Sequence, residues 1–183
     1  MSTTNISSLS KLQALLPELF ETPQIQGETY LHCHLNHEIS GLVSMDFVQE
    51  SLLIPWEKIT FLPNIPSFVM GLMTSRDRVF FVIDLPNLLG LSSPFSLLQT
   101  YQIIVLSISS LVPQSTNTDK EYFVGLAVPK IQGIMRVRSE EREPAQKSLP
   151  EEFFPFVQET IKEEKNLLYV LNLTSIVEQI QGI

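Results

Sequence analysis

His32, Cys33, His34 and His37 fall within six residues of one another. Imidazole and thiolate are good zinc ligands, and a thiol beside a histidine is a possible nucleophile. The spacing speaks against both. The alternation of Leu31, Cys33 and Leu35 with Tyr30, His32 and His34 is that of a half-buried strand, on which Cys33 points away from both histidines. His32 and His34 could share a face, but a metal would still need a third ligand, and beyond these four residues the chain has no further cysteine or histidine. The expected state is a solvated histidine face over a buried thiol, without a metal. The pairs Glu140-Glu141, Glu151-Glu152 and Glu163-Glu164 lie among polar residues. Glycosidase-type acid catalysis needs one carboxyl in an apolar pocket with a raised pKa, so these pairs read as solvated faces. No glycine-rich phosphate loop is present.

Arg76, Asp77 and Arg78 are different. They fill a turn between two apolar strands, Phe68–Met73 and Val79–Ile83. A polar hairpin tip is one reading. The other is a fixed charge shown to a protein partner, with Glu50 of an earlier strand as counter-ion. Arginine offers a planar fork that matches a carboxylate, which lysine cannot reproduce.

The elements that must carry these residues are mostly strands. Candidates are Tyr30–Leu35, Gly41–Met45, Phe47–Leu53, Lys58–Leu62, the hairpin around Thr74–Arg78, Gln102–Ser109, Tyr122–Val128, Ile131–Val137 and Leu167–Leu173. Pro63 and Pro66 exclude a central strand between them. Asp84 is placed to cap a short helical turn, Leu85–Leu89, ended by Gly90. The segment Ser139–Glu152 is charged and proline-bearing and reads as loop; Glu159–Lys165 is charged and sits before the strand Leu167–Leu173. Ser175 with Glu178 reads as a capping box opening a C-terminal helix. Leucines at 9, 12, 15, 16 and 19 mark a helical stripe over Ser8–Phe20, either packed on its own domain or free to dock elsewhere. Trp56 is either edge packing or an exposed anchor. About ten short strands with few short helices predict an all-β protein, as one sandwich or two five-stranded barrels; periodicity does not choose.

Composition narrows the function classes. The net charge of −8 repels phosphate backbones and anionic bilayers, so neither nucleic acid nor a membrane surface is an expected partner. A lone cysteine fits a reducing cytosol. The N-terminus does not read as a signal peptide, and no apolar run approaches bilayer length.

Residues 46–91 resemble the CheW-like domain, the adaptor of bacterial chemotaxis arrays. The family's motifs appear in order as Val48-Gln49-Glu50, Pro63-Asn64-Ile65-Pro66, Phe68-Val69-Met70-Gly71-Leu72, Thr74-Ser75-Arg76-Asp77 and Val82-Ile83-Asp84-Leu85. Val124-Gly125-Leu126-Ala127-Val128 and Ile131-Gln132-Gly133-Ile134 look like its later strands, so the resemblance spans about residues 28–180. Leu15-Leu16-Pro17-Glu18-Leu19-Phe20, with Gly27-Glu28-Thr29-Tyr30-Leu31, looks like the cyanobacterial PilI/PixI-type branch, tied to type IV pilus motility and phototaxis. The resemblance implies two five-stranded SH3-like β-barrels over residues 28–180, behind an N-terminal extension at 1–27, with N-terminal and C-terminal helices. It implies no catalysis and no cofactor. It implies a cytoplasmic adaptor, recruited to membrane-associated receptor arrays, that bridges a CheA-type histidine kinase to the cytoplasmic tip of a methyl-accepting chemoreceptor. By motif position, Val48, Glu50, Gly71 and Arg76 would contact kinase or receptor, with Asp77 and Arg78 at the same turn. The chain departs from the family at Asp77 (glycine there), Thr74 (asparagine) and Pro129 (aspartate). A decoy that binds one partner, with Asp77 spoiling the other contact, is the alternative; an enzyme using Cys33 and a histidine is a more remote one.

Overall fold

A computed structural model describes residues 27–95, 98–112, 121–145, 149–163 and 166–182. The helical stripe at 8–20 and the motif at 15–20 lie outside the described residues. Among the described residues eleven strands are present: β1 (Glu28–His34), β2 (Ser40–Ser44), β3 (Val48–Pro55), β4 (Val69–Ser75), β5 (Arg78–Asp84), β6 (Thr100–Ser107), β7 (Phe123–Val128), β8 (Lys130–Val137), β9 (Arg142–Pro144), β10 (Val157–Glu163) and β11 (Asn166–Leu171). Two helices accompany them, α1 (Leu85–Leu88) and α2 (Leu173–Gln181).

The strands form a six-stranded sheet, β8-β1-β2-β11-β10-β9, and a five-stranded sheet, β3-β6-β7-β5-β4. In each sheet the two end strands follow one another in the chain, and that adjacency closes the fold. β8 and β9 are joined by a single 3-10 turn at Ser139–Glu141, so they are two halves of one bent strand. Arg142 on β9 reaches Glu28 on β1 across the remaining gap, Nη2 to Oε2 at 2.9 Å. Six strands thereby make one five-stranded barrel. In the other sheet, Ser75 and Arg76 at the end of β4 meet Glu50 on β3. The second barrel is one continuous segment, β3 to β7, inserted between β2 and β8 of the first.

Several expected elements differ. Lys58–Leu62 is not a strand: Trp56–Lys58 is a 3-10 turn, and only Thr60 pairs, with Leu72. The 3-10 turn takes up the start of the segment and Pro63 ends it, which leaves Thr60 to pair by itself. The charged stretch Glu159–Lys165 carries β10 instead, because β11 supplies its ladder and Thr160 and Ile161 turn inward. β9 arises within the predicted loop 139–152. Asn172, not Ser175, caps α2: its Oδ1 accepts from the Ser175 amide at 3.2 Å. Asp84 caps α1 as expected, accepting from the Asn87 amide at 3.0 Å. Trp56 is exposed.

Apolar residues fill three regions. One core belongs to the five-stranded barrel, around Phe80, Val82, Ile103 and Val105. A second lies in the other barrel, around Leu42, Ile161, Leu168 and Val170. The largest joins the two barrels: Leu31, Val43 and Leu171 from one meet Ile83, Ile104 and Leu126 from the other, and α2 adds Ile176 and Val177.

Candidate functional site

β4 and β5 are joined by two residues, Arg76 and Asp77, because Ser75 pairs directly with Arg78. Both take positive φ, 47° and 62°. Two left-handed residues in a two-residue loop are the signature of a type I′ turn, whose twist suits the flanking strands. Aspartate in place of the family's glycine therefore leaves the left-handed turn in place. The turn is also tighter than the Thr74–Arg78 span expected from sequence.

This geometry aims Arg76 back across the barrel seam. Its Nε lies 3.1 Å from Glu50 Oε2, and the Ser75 hydroxyl donates to Glu50 Oε1 at 3.3 Å. The Arg76–Glu50 contact is a charge contact rather than an aligned hydrogen bond. The Glu50 side chain is 9% exposed and that of Arg76 77%. The carboxylate is thus pinned, while most of the guanidinium stands in solvent. Because the Glu50 carboxylate is nearly buried, it depends on the arginine for charge compensation; the pair also orients the arginine.

The six candidate residues separate into two groups. Glu50, Arg76 and Asp77 come together at the hairpin tip. Arg78 begins β5 beside them, but its guanidinium carbon lies 4.3 Å from the centre of the Phe123 ring, so it is held against the barrel. Val48 is half-buried on the shared core. Gly71 is buried at a bulge with φ 145°, and a β-carbon there would sit 2.2 Å from the Thr60 carbonyl oxygen. Gly71 shapes β4 from beneath, Val48 packs toward the core between the barrels, and both offer little surface to a partner.

The sequence reading missed the apolar side chains around this hairpin. Val79 and Phe81 are exposed on one face of β5, opposite Thr74 and Leu72 of β4. Phe61, next to the Thr60–Leu72 bridge, is 77% exposed, and Leu53 on β3 is 70% exposed. The available signal was the run Val79-Phe80-Phe81-Val82-Ile83, apolar on both strand faces. A strand that buries only one face needs polar residues on the other.

The histidine–cysteine cluster follows its alternation in part: Cys33 points inward, but Tyr30 is buried in the barrel core and His32 Nε2 is buried too, so the opposite face is half-buried rather than solvated. Cys33 is fully buried, its thiol directed at the Gly41 carbonyl 3.6 Å away, and burial pushes its pKa up to about 12. A thiol in that state is a poor nucleophile. His34 contacts the Ser40 hydroxyl through Nδ1 at 3.1 Å and the Gln132 amide through Nε2 at 2.6 Å. His32 lies beside it, ring centres 5.9 Å apart, its pKa lowered first by burial and then by His34. Among the described residues no group of three or more His, Cys, Asp or Glu side chains is arranged to hold a metal, and no helix is long and apolar enough to cross a membrane.

A family model for the CheW-like domain matches residues 29–181. Among solved structures, the scaffolding protein TtCheW from Thermoanaerobacter tengcongensis aligns with a TM-score of 0.64 and 18% identity, over 80% of this chain and 90% of that one. At that identity the likeness is one of fold. No curated protein matches the sequence.

Proposed function

The chain belongs to the CheW-like domain family, and from that premise we propose that it is a non-enzymatic adaptor in chemotaxis-type signalling. It couples a CheA-type histidine kinase, through the kinase's regulatory domain, to the cytoplasmic tip of a methyl-accepting receptor. The motif likeness at its N-terminus puts that signalling in type IV pilus motility or phototaxis, in the cytoplasm at receptor arrays. The observation that carries the reading is the β4–β5 hairpin, where an oriented, solvent-facing Arg76 adjoins the exposed Val79 and Phe81. Apolar area supplies contact, and a fixed charge selects the partner. A transient signalling contact of this kind can be smaller than about 1,200 Å².

Arg76→Glu tests it. Charge reversal is expected to reduce capture of the kinase regulatory domain in a pull-down by about tenfold or more. The melting temperature is expected to fall as well, because the nearly buried Glu50 carboxylate loses its counter-ion and faces a like charge, so capture is compared with that of Arg76→Gln at a temperature where both variants are folded. Unchanged capture by a folded variant rejects the hairpin as the contact. Asp77 favours one competing reading, since it sets a second carboxylate beside Arg76 in the turn: an adaptor that engages the kinase alone. Reconstitution of kinase, receptor and this chain separates the two, because only a true coupler puts kinase output under receptor control.

A further inference from the structure

A second feature lies in a cleft of about 560 Å³ between the β1–β2 turn, the start of β8 and the segment that follows α1. His34, His37 and Lys130 line it, with Ser93, Pro94 and Pro129. None of its described lining residues is an aspartate or glutamate, although the chain carries 20 acidic residues against 12 basic ones. Pro129 stands where the family pattern has an aspartate. Asp84 lies behind Ser93, but it is buried and accepts the Asn87 amide.

The walls are held in place from both barrels. The Ile131 amide donates to Gln102 Oε1 at 2.6 Å, tying the start of β8 to β6. Asn36 Oδ1 accepts from the amides of Glu38 and Ile39 at 2.8 and 2.7 Å, which fixes the turn that carries His37. His34 is anchored by Ser40 and Gln132. Lys130 has no ion-pair partner among the described residues and is exposed beside the cleft. A mostly apolar cavity of a few hundred cubic ångströms with a few converging polar groups is the usual form of a small-ligand site.

We infer that this cleft binds a small anion carried on an apolar body, such as an aryl or alkyl phosphate or carboxylate. The anionic group meets the Lys130 ammonium and the histidine side, and the body rests on Pro94 and Pro129. The inference does not depend on the adaptor reading.

The test is an amide-detected NMR titration of the full chain with phenyl phosphate, inorganic phosphate and phenol, at neutral pH and low salt. Phenyl phosphate should shift the amides of residues 36–38, 92–93 and 130 in a saturable way. It should bind about tenfold more tightly than either inorganic phosphate or phenol, since each holds only half of the recognised chemistry. Lys130→Gln, a change at an exposed position, should weaken phenyl phosphate about tenfold at an unchanged melting temperature. His37→Asn should weaken it less. No saturable shift, equal affinity for phenyl and inorganic phosphate, or unchanged affinity in Lys130→Gln each overturns the inference.

Discussion

Arg76 and Asp77 each hold a backbone conformation that costs an L side chain about 1–2 kcal/mol, less for aspartate than for arginine. Glycine carries no such penalty. Asp77→Gly is therefore expected to stabilise the protein by about 0.5–1 kcal/mol and raise its melting temperature by roughly 1–4 °C. A lower melting temperature would mean that the Asp77 carboxylate holds the turn by a contact of its own. The pairing of Arg76 with Glu50 was legible because a charged turn between apolar strands leaves few other roles for an arginine. The parts played by Val48 and Gly71 were not. Gly71 sits beneath the hairpin for reasons set by a bulge and by Thr60, eleven residues before it in sequence, while Val48 packs on the core shared by the barrels, and no pattern within β3 or β4 announces either.

At the scale of elements, the bent strand β8–β9 depends on Arg142. This side chain is 16% exposed and lies against Glu28 at 2.9 Å and Glu159 at 3.5 Å, with the Tyr30 hydroxyl donating to Glu28 at 2.7 Å. The Arg142 guanidinium first, then Tyr30, holds the Glu28 carboxyl below its ordinary pKa of 4.5. A carboxylate whose folded pKa lies below its unfolded one adds stability at pH values above the unfolded pKa. That stability is lost as pH falls through the folded pKa. Melting temperature should therefore decline below about pH 4.5, and Glu28→Gln should make that decline shallower. Melting curves across the acid range check it; identical slopes in the two proteins exclude Glu28 as a contributor. The stretch that holds β9 reads as charged loop and the one that holds β10 as a charged segment of no set type, because Arg142, Glu143, Glu159, Lys162 and Glu163 mask the alternation. Their strand character comes from the ladder with β11 and from the seam with β1, which a local window does not contain.

Across the whole molecule, the central core takes side chains from both barrels, and the Ile131–Gln102 bond crosses the same boundary. The two barrels should therefore melt together. Calorimetry is expected to show one transition, and Ile104→Ala, at a fully buried position of that core, should lower it as a unit. The cost expected for such a truncation is about 2–5 kcal/mol. Two resolved transitions, with only one moved by the substitution, would show that the barrels fold independently. The amino-acid order by itself determined most of the strands, the burial of Cys33 beneath its histidine face, the Asp84 cap and the charged hairpin. Each of these follows from side-chain alternation or from hydrogen bonds within a few residues, and neither depends on what lies across the fold. The tertiary structure alone decided that both sheets close on themselves, that Arg142 seals the other seam, and that a cleft whose described lining carries no carboxylate opens between the barrels. These depend on where a strand bends and which register it takes against a distant partner, and such distances enter only when the chain has folded.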